Sequence, residues 1–171
     1  NIPIGINYHI LTYEKKTMSL FLKNNNINTK LCLSLYKILV KDCVDTFQKI
    51  IECKKFIDIM DTNIDSPIYY EKLGEYKFVI CPSDIKYESY ILEIIYSKGI
   101  PILKINNLLK LKYDNLPILW INNYSQITEK YLIENYSKIL DTYYNFNSIL
   151  LSCYNDNIIN EKKYNLNRLV T

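Results

Sequence analysis

The chain has 171 residues, 49% hydrophobic and 23% charged, which is the balance of one folded domain of ordinary size and leaves no room for two large ones. Its 21 basic and 18 acidic residues, net charge +3, are scattered with no basic stripe, so nucleic acid is not an expected partner. Lys, Asn or Asp interrupts every apolar run before the about 18 residues that a membrane-spanning helix needs.

No basic-then-apolar leader opens the chain, so the expected location is the cytoplasm. The first residue is Asn1 and not Met, and a piece of a longer chain is expected. Arg168 is the single arginine, alanine is absent, and Ile, Asn, Lys and Tyr abound. That usage is typical of AT-rich coding DNA, as in some large DNA viruses and some protists; for a viral chain the cytoplasm would be the host's. Cys32, Cys43, Cys53, Cys81 and Cys153 form no CxxC pair, and with His9 as the single histidine they build no zinc site; buried, reduced thiols are expected.

In chain order, Ile4 to Leu11 reads as a buried strand and Thr12 to Lys23 as a helix, closed by the Asn24-Asn25-Asn26 run. Leu31 to Val40 is strand or helix, and Asp42 to Cys53 has Val44, Phe47, Ile50 and Ile51 at helical spacing. A turn over Asp61 to Pro67 leads to a short helix around Tyr70 to Leu73, and Tyr76 to Cys81 is the clearest strand. Tyr87 to Ser97 predicts a helix ended by Gly99, followed by a strand at Ile100 to Leu103. A strand at Pro117 to Ile121 precedes a helix capped by Ser125 and running to about Leu140, with Tyr131, Leu132, Ile139 and Leu140 inward. A last helix holds Ile149, Leu150, Leu151 and Tyr154. Strands alternating with helices predict an α/β fold, a Rossmann-like parallel sheet with helices on both faces, which binds ligands at the carboxyl ends of its strands.

Gly5, Gly74 and Gly99 are the three glycines, and their spacing writes neither GxGxxG nor GxxxxGK[ST], so dinucleotide and P-loop sites are not expected. No DxD pair occurs either: two residues separate Asp58 from Asp61, and three separate Asp61 from Asp65. No metal is expected.

The most informative stretches are Tyr76 to Lys104, YKFVICPSDIKYESYILEIIYSKGIPILK, and Asn115 to Tyr136, NLPILWINNYSQITEKYLIENY. They resemble the carboxyl-terminal half of exostosin-like glycosyltransferases, whose pattern runs approximately KFVLCPxGNGxDTHRxWEALYxGxIPIVK and then DLPVLIVDDWSEITEEFLxxxY. The opening INYHILTYEKKTMSLFLKNN is similar to the first strand and helix of the same half. The resemblance implies that residues 1–171 are a single lobe of a two-lobed GT-B architecture, the lobe that holds a UDP- or GDP-sugar donor. A glycan or protein acceptor and the general base would belong with an amino-terminal lobe.

Glu93 matches the WEALY glutamate, which the resemblance makes the acceptor of the nucleotide ribose hydroxyls. Ser83, Asp84 and Lys86 follow Cys81 on the turn into a helix N-terminus, whose free N–H groups suit a diphosphate. Lys16 stands for an arginine of the opening motif, and Lys104 matches the lysine after the IPI strand.

The departures are equally specific. Asp84-Ile85-Lys86 replaces GNG, one residue shorter, so the close backbone approach that glycine permits is lost and a negative charge stands beside the diphosphate. The family's His-Arg pair falls on Ser89 and Tyr90, a phenol in place of a guanidinium. Its glycine before IPI falls on Lys98. Tyr124 and Ser125 stand at the WSEIT position and read as a packing residue and a cap. His9 reads as a core or edge histidine, and no catalytic residue is assigned. Two readings follow: a donor-binding glycosyltransferase lobe, or a degenerate relative without activity that serves as an interaction module.

Overall fold

The computed structural model describes residues 28–35, 54–60, 66–81 and 88–142. Five described strands, β1 (Lys30–Ser34), β2 (Ile57–Ile59), β3 (Tyr76–Ile80), β4 (Ile100–Lys104) and β5 (Leu119–Ile121), form one sheet in the order β2-β1-β3-β4-β5. Every neighbouring pair is parallel. The strand sequences show why: KLCLS, YKFVI and IPILK are near-continuous apolar runs, which suit a sheet covered on both faces. Phe78, Val79 and Ile80 are each 0% exposed, although consecutive side chains point to opposite faces.

Helices α1 (Ser66–Glu75), α2 (Glu88–Tyr96) and α3 (Asn107–Tyr113) share one face. Their Leu73, Ile91, Ile94 and Leu109 pack with Leu33, Val79 and Leu103 of the sheet. Helix α4 (Glu129–Leu140) covers the other, where Leu132 and Ile127 meet Cys32, Phe78, Ile80 and Ile102. This is the expected α/β Rossmann-like sheet with helices on both faces.

Several boundaries differ from the sequence reading, each for a local reason. The segment from Leu31 to Val40 is extended at its start, as the strand Lys30–Ser34. Ser66 and Pro67, read as part of a turn, open α1; proline is acceptable in a first helical turn, where its missing N–H would have no partner. β2 is a three-residue edge strand, IDI, too short to show a period. Helix α3 is likewise absent from the sequence reading; Asn106 caps it by accepting from Leu108 N at 3.0 Å and Leu109 N at 3.3 Å.

Ser125 does not cap the long helix. It lies in a one-turn 3₁₀ segment, Tyr124–Gln126, capped by Asn123, and Thr128 caps α4 through Tyr131 N at 3.2 Å. Leu140, expected inward, is 61% exposed, while Leu132 is buried and Tyr131 and Ile139 are half-buried. The expected strand over Ile4 to Leu11, the helices at Thr12 to Lys23 and Asp42 to Cys53, and the helix around Ile149 to Tyr154 lie outside the described residues.

The end of α2 corrects the reading of Gly99. Lys98 N donates to Ile95 O and Gly99 N to Ile94 O, both at 2.9 Å, the paired bonds of a Schellman motif. Lys98 therefore takes the left-handed position, φ 65°, where glycine is favoured. Gly99 serves close approach: a Cβ there would stand 3.1 Å from Ile94 Cγ2 and 3.5 Å from Tyr76 O.

The strand order also contains a reversal. The chain steps from β1 to β2 on one side, then crosses back over β1 to β3 on the other, so its direction reverses between β1 and β3. Open parallel sheets bind ligands outside the carboxyl ends of strands at such a reversal. Ser34 and Leu35 end β1 there, and Ile80 and Cys81 end β3; all four are buried. No helix among the described residues is long and apolar enough to cross a membrane.

Candidate functional site

Glu93 sits on α2, the helix that follows β3, between Leu92 and Ile94, and all three are buried. The apolar spacing of ESYILEIIY turns one face of α2 onto the sheet, and Glu93 falls within that face, 4% exposed. Its backbone carbonyl accepts from Ser97 N at 3.0 Å and Ser97 Oγ at 2.9 Å. A buried carboxylate loses hydration, and this burial pushes the Glu93 pKa up from 4.5 to about 7; a hydrogen bond from Tyr69 opposes the rise. The Tyr69 hydroxyl donates to Glu93 Oε2 at 3.4 Å.

Three tyrosines and a thiol complete the corner. Tyr69 and Tyr70, on α1, pack edge to face with ring centroids 4.9 Å apart, and Tyr69 meets Tyr90 of α2 in the same way at 6.4 Å. Burial first, and then the neighbouring Glu93 carboxylate, raises the pKa of Tyr69 and of Tyr70. Cys81, at the end of β3, is raised by the same two causes. Buried and protonated, Cys81 is a packing residue and no nucleophile, as expected of the cysteines. Cys32 is likewise buried, its thiol raised by burial and then by Asp58.

These shifts tie Glu93 to the sheet. Its charge reaches Cys81, the residue that follows β3 at the reversal point, and α2 is the helix that follows that strand. Of the residues expected to bind the donor, the structure brings together Glu93 and Tyr90. Lys16, Ser83, Asp84 and Lys86 lie outside the described residues. Tyr90 is half-buried against the α1–α3 core. Lys104 is exposed at the carboxyl end of β4. Tyr124 packs on the α4 face, in agreement with a packing role, and Ser125 is exposed with its N–H donating to Asn123 Oδ1 at 3.0 Å.

Tyr69 is the residue that sequence reasoning did not single out. It is one of 17 tyrosines in a composition rich in them, and only packing of α1 against α2 brings it to Glu93. Among the described residues, no group of His, Cys, Asp and Glu is arranged to hold a metal ion. Compared with known proteins, the chain matches no family model and none of the curated proteins.

Proposed function

We propose that this chain is the donor-binding lobe of a glycosyltransferase, holding a nucleotide sugar for transfer to an acceptor hydroxyl on a glycan or protein. The observation that carries the reading is the buried Glu93 carboxylate on the helix that follows β3 in an all-parallel sheet. A desolvated carboxylate is an unusual thing to place on a helix face otherwise made of Ile and Leu, and perturbed groups of this kind concentrate at functional sites. The resemblance of Tyr76 to Lys104 to exostosin-like enzymes gives the same residue the task of accepting ribose hydroxyls. In the two-lobed enzymes, the general base and acceptor site belong to the other lobe, so this lobe's part is to bind and orient the donor.

One observation favours the second reading, a degenerate lobe acting as an interaction module. Where the family has an arginine, Tyr90 carries a neutral ring packed on Tyr69. A guanidinium there would clamp phosphate with two parallel hydrogen bonds, which a phenol cannot do.

Calorimetric titration of UDP, GDP and several sugar nucleotides against the wild type and Glu93→Gln separates the two readings. The donor-lobe reading expects saturable binding of one nucleotide, weakened about tenfold to a hundredfold in the variant by loss of a charged hydrogen-bond acceptor. No binding of any of them at millimolar concentration by folded protein rejects it in favour of the interaction module.

A further inference from the structure

Glu93 lies in a corner where nothing among the described residues neutralises it. The groups that face it are Tyr69 and Tyr70 from α1, Tyr90 from its own helix and Cys81 from the end of β3. Tyr69, Tyr70 and Cys81 are held neutral at physiological pH, and no cation acts on the titration of Glu93. The Tyr69 hydroxyl is its one described side-chain hydrogen-bond donor.

That donor is fixed in two respects. Its ring is held edge-on between Tyr70 and Tyr90, so the hydroxyl cannot turn away without unpacking both neighbours. Its proton is held as well, because burial and the adjacent carboxylate keep the phenol from ionising. At 3.4 Å the bond is long and takes one lone pair of Oε2. A carboxylate offers about four such sites, so most of its acceptor capacity is not taken up by Tyr69.

We propose that Tyr69 is the positioning residue of Glu93: its hydroxyl orients the carboxylate and favours the ionised form, so that an incoming diol meets a charged acceptor. The diol's identity as a nucleotide ribose rests on the donor-lobe reading; the action of Tyr69 on Glu93 does not.

The test follows the Glu93 side-chain carboxyl by NMR across a pH titration in wild type, Tyr69→Phe and Tyr136→Phe, with Glu93→Gln assigning the signal. Tyr136 packs on Phe78 on the opposite face of the sheet and serves as the control. The Glu93 midpoint is expected to rise by about half to one pH unit in Tyr69→Phe, the low end for a bond to a charged group, and to stay in place in Tyr136→Phe. Tyr69→Met, which removes the same hydroxyl and fills the space with an adaptable side chain, replaces Tyr69→Phe if that variant does not fold. An unchanged midpoint in a folded variant overturns the proposal.

Nucleotide titrations on the same proteins keep the two ideas apart. A raised midpoint in a protein that binds no nucleotide upholds the role of Tyr69 and removes the donor. Nucleotide binding lost in Glu93→Gln, with an unmoved midpoint in the Tyr69 variant, upholds the donor and removes the role of Tyr69.

Discussion

Glu93→Gln is the perturbation with the most definite thermodynamic signature. The wild-type carboxyl titrates at 4.5 when unfolded and at about 7 when folded, and at about 1.4 kcal/mol per pH unit that gap is worth roughly 3 kcal/mol. The folded state holds the proton more tightly than the unfolded one. Below pH 4.5 both states are protonated and nothing is lost; from there to about 7 the unfolded chain sheds a proton that the folded chain keeps, so stability falls; above about 7 the loss is complete. Glutamine has nearly the shape of the neutral acid and no charge to bury. Urea unfolding at pH 5 and pH 8.5 should therefore find the variant within about 1 kcal/mol of wild type at the lower pH and about 2–3 kcal/mol more stable at the higher. Comparing two proteins at each pH removes the contribution of every other titrating group. A difference that stays constant between the two pH values, or a variant less stable at pH 8.5, would refute the claim that Glu93 is buried without charge compensation.

Further outcomes follow from the same structure. Nucleotide binding through a ribose diol needs the ionised carboxylate, so affinity should fall as pH drops below about 7, by up to about tenfold per pH unit, and lose this dependence in Glu93→Gln; calorimetry at pH 6 and pH 8 reads it. Lys98→Gly should stabilise by about 0.5–1 kcal/mol, since glycine takes the left-handed position without steric cost, whereas Gly99→Ala should destabilise by about 1–3 kcal/mol through the crowding at Ile94; thermal unfolding checks both. The Tyr76 hydroxyl, its pKa pushed up to about 12 chiefly by burial, donates to Asp58 Oδ2 at 2.7 Å and accepts from Lys30 Nζ at 3.3 Å. Tyr76→Phe should cost about 1–2 kcal/mol in urea unfolding, because it removes a hydrogen bond to a charged group that links β3 to the edge strand β2.

A carboxylate that weakens the fold above neutral pH is the pattern expected where a protein exchanges stability for a site. Tyr90 points the other way, since a phenol gives no phosphate clamp. The nucleotide titration decides between these two chemical facts, because a diol can be bound by Glu93 alone whereas a diphosphate needs cations.

The central strands of the sheet were legible in the sequence. Apolar runs such as FVIC and IPIL are buried wherever they go, and alternation with helical segments makes them parallel, since parallel strands need a crossover. Glu93 was singled out through the resemblance of LEIIYSKGIPI to the WEALY segment of exostosin-like enzymes, and its burial came only with the fold. Short elements escaped the sequence reading: β2 has three residues, and α3 has seven with exposed Leu108 and Leu111, too few and too mixed for a period to show. The helix ends escaped it too, because Lys98 holds a left-handed φ through two backbone bonds, against its own preference. The environment of Glu93 was decided by tertiary structure alone. Tyr69 and Glu93 are 24 residues apart, and only the packing of α1 and α2 on one face of the sheet joins the half-buried tyrosine to the buried carboxylate.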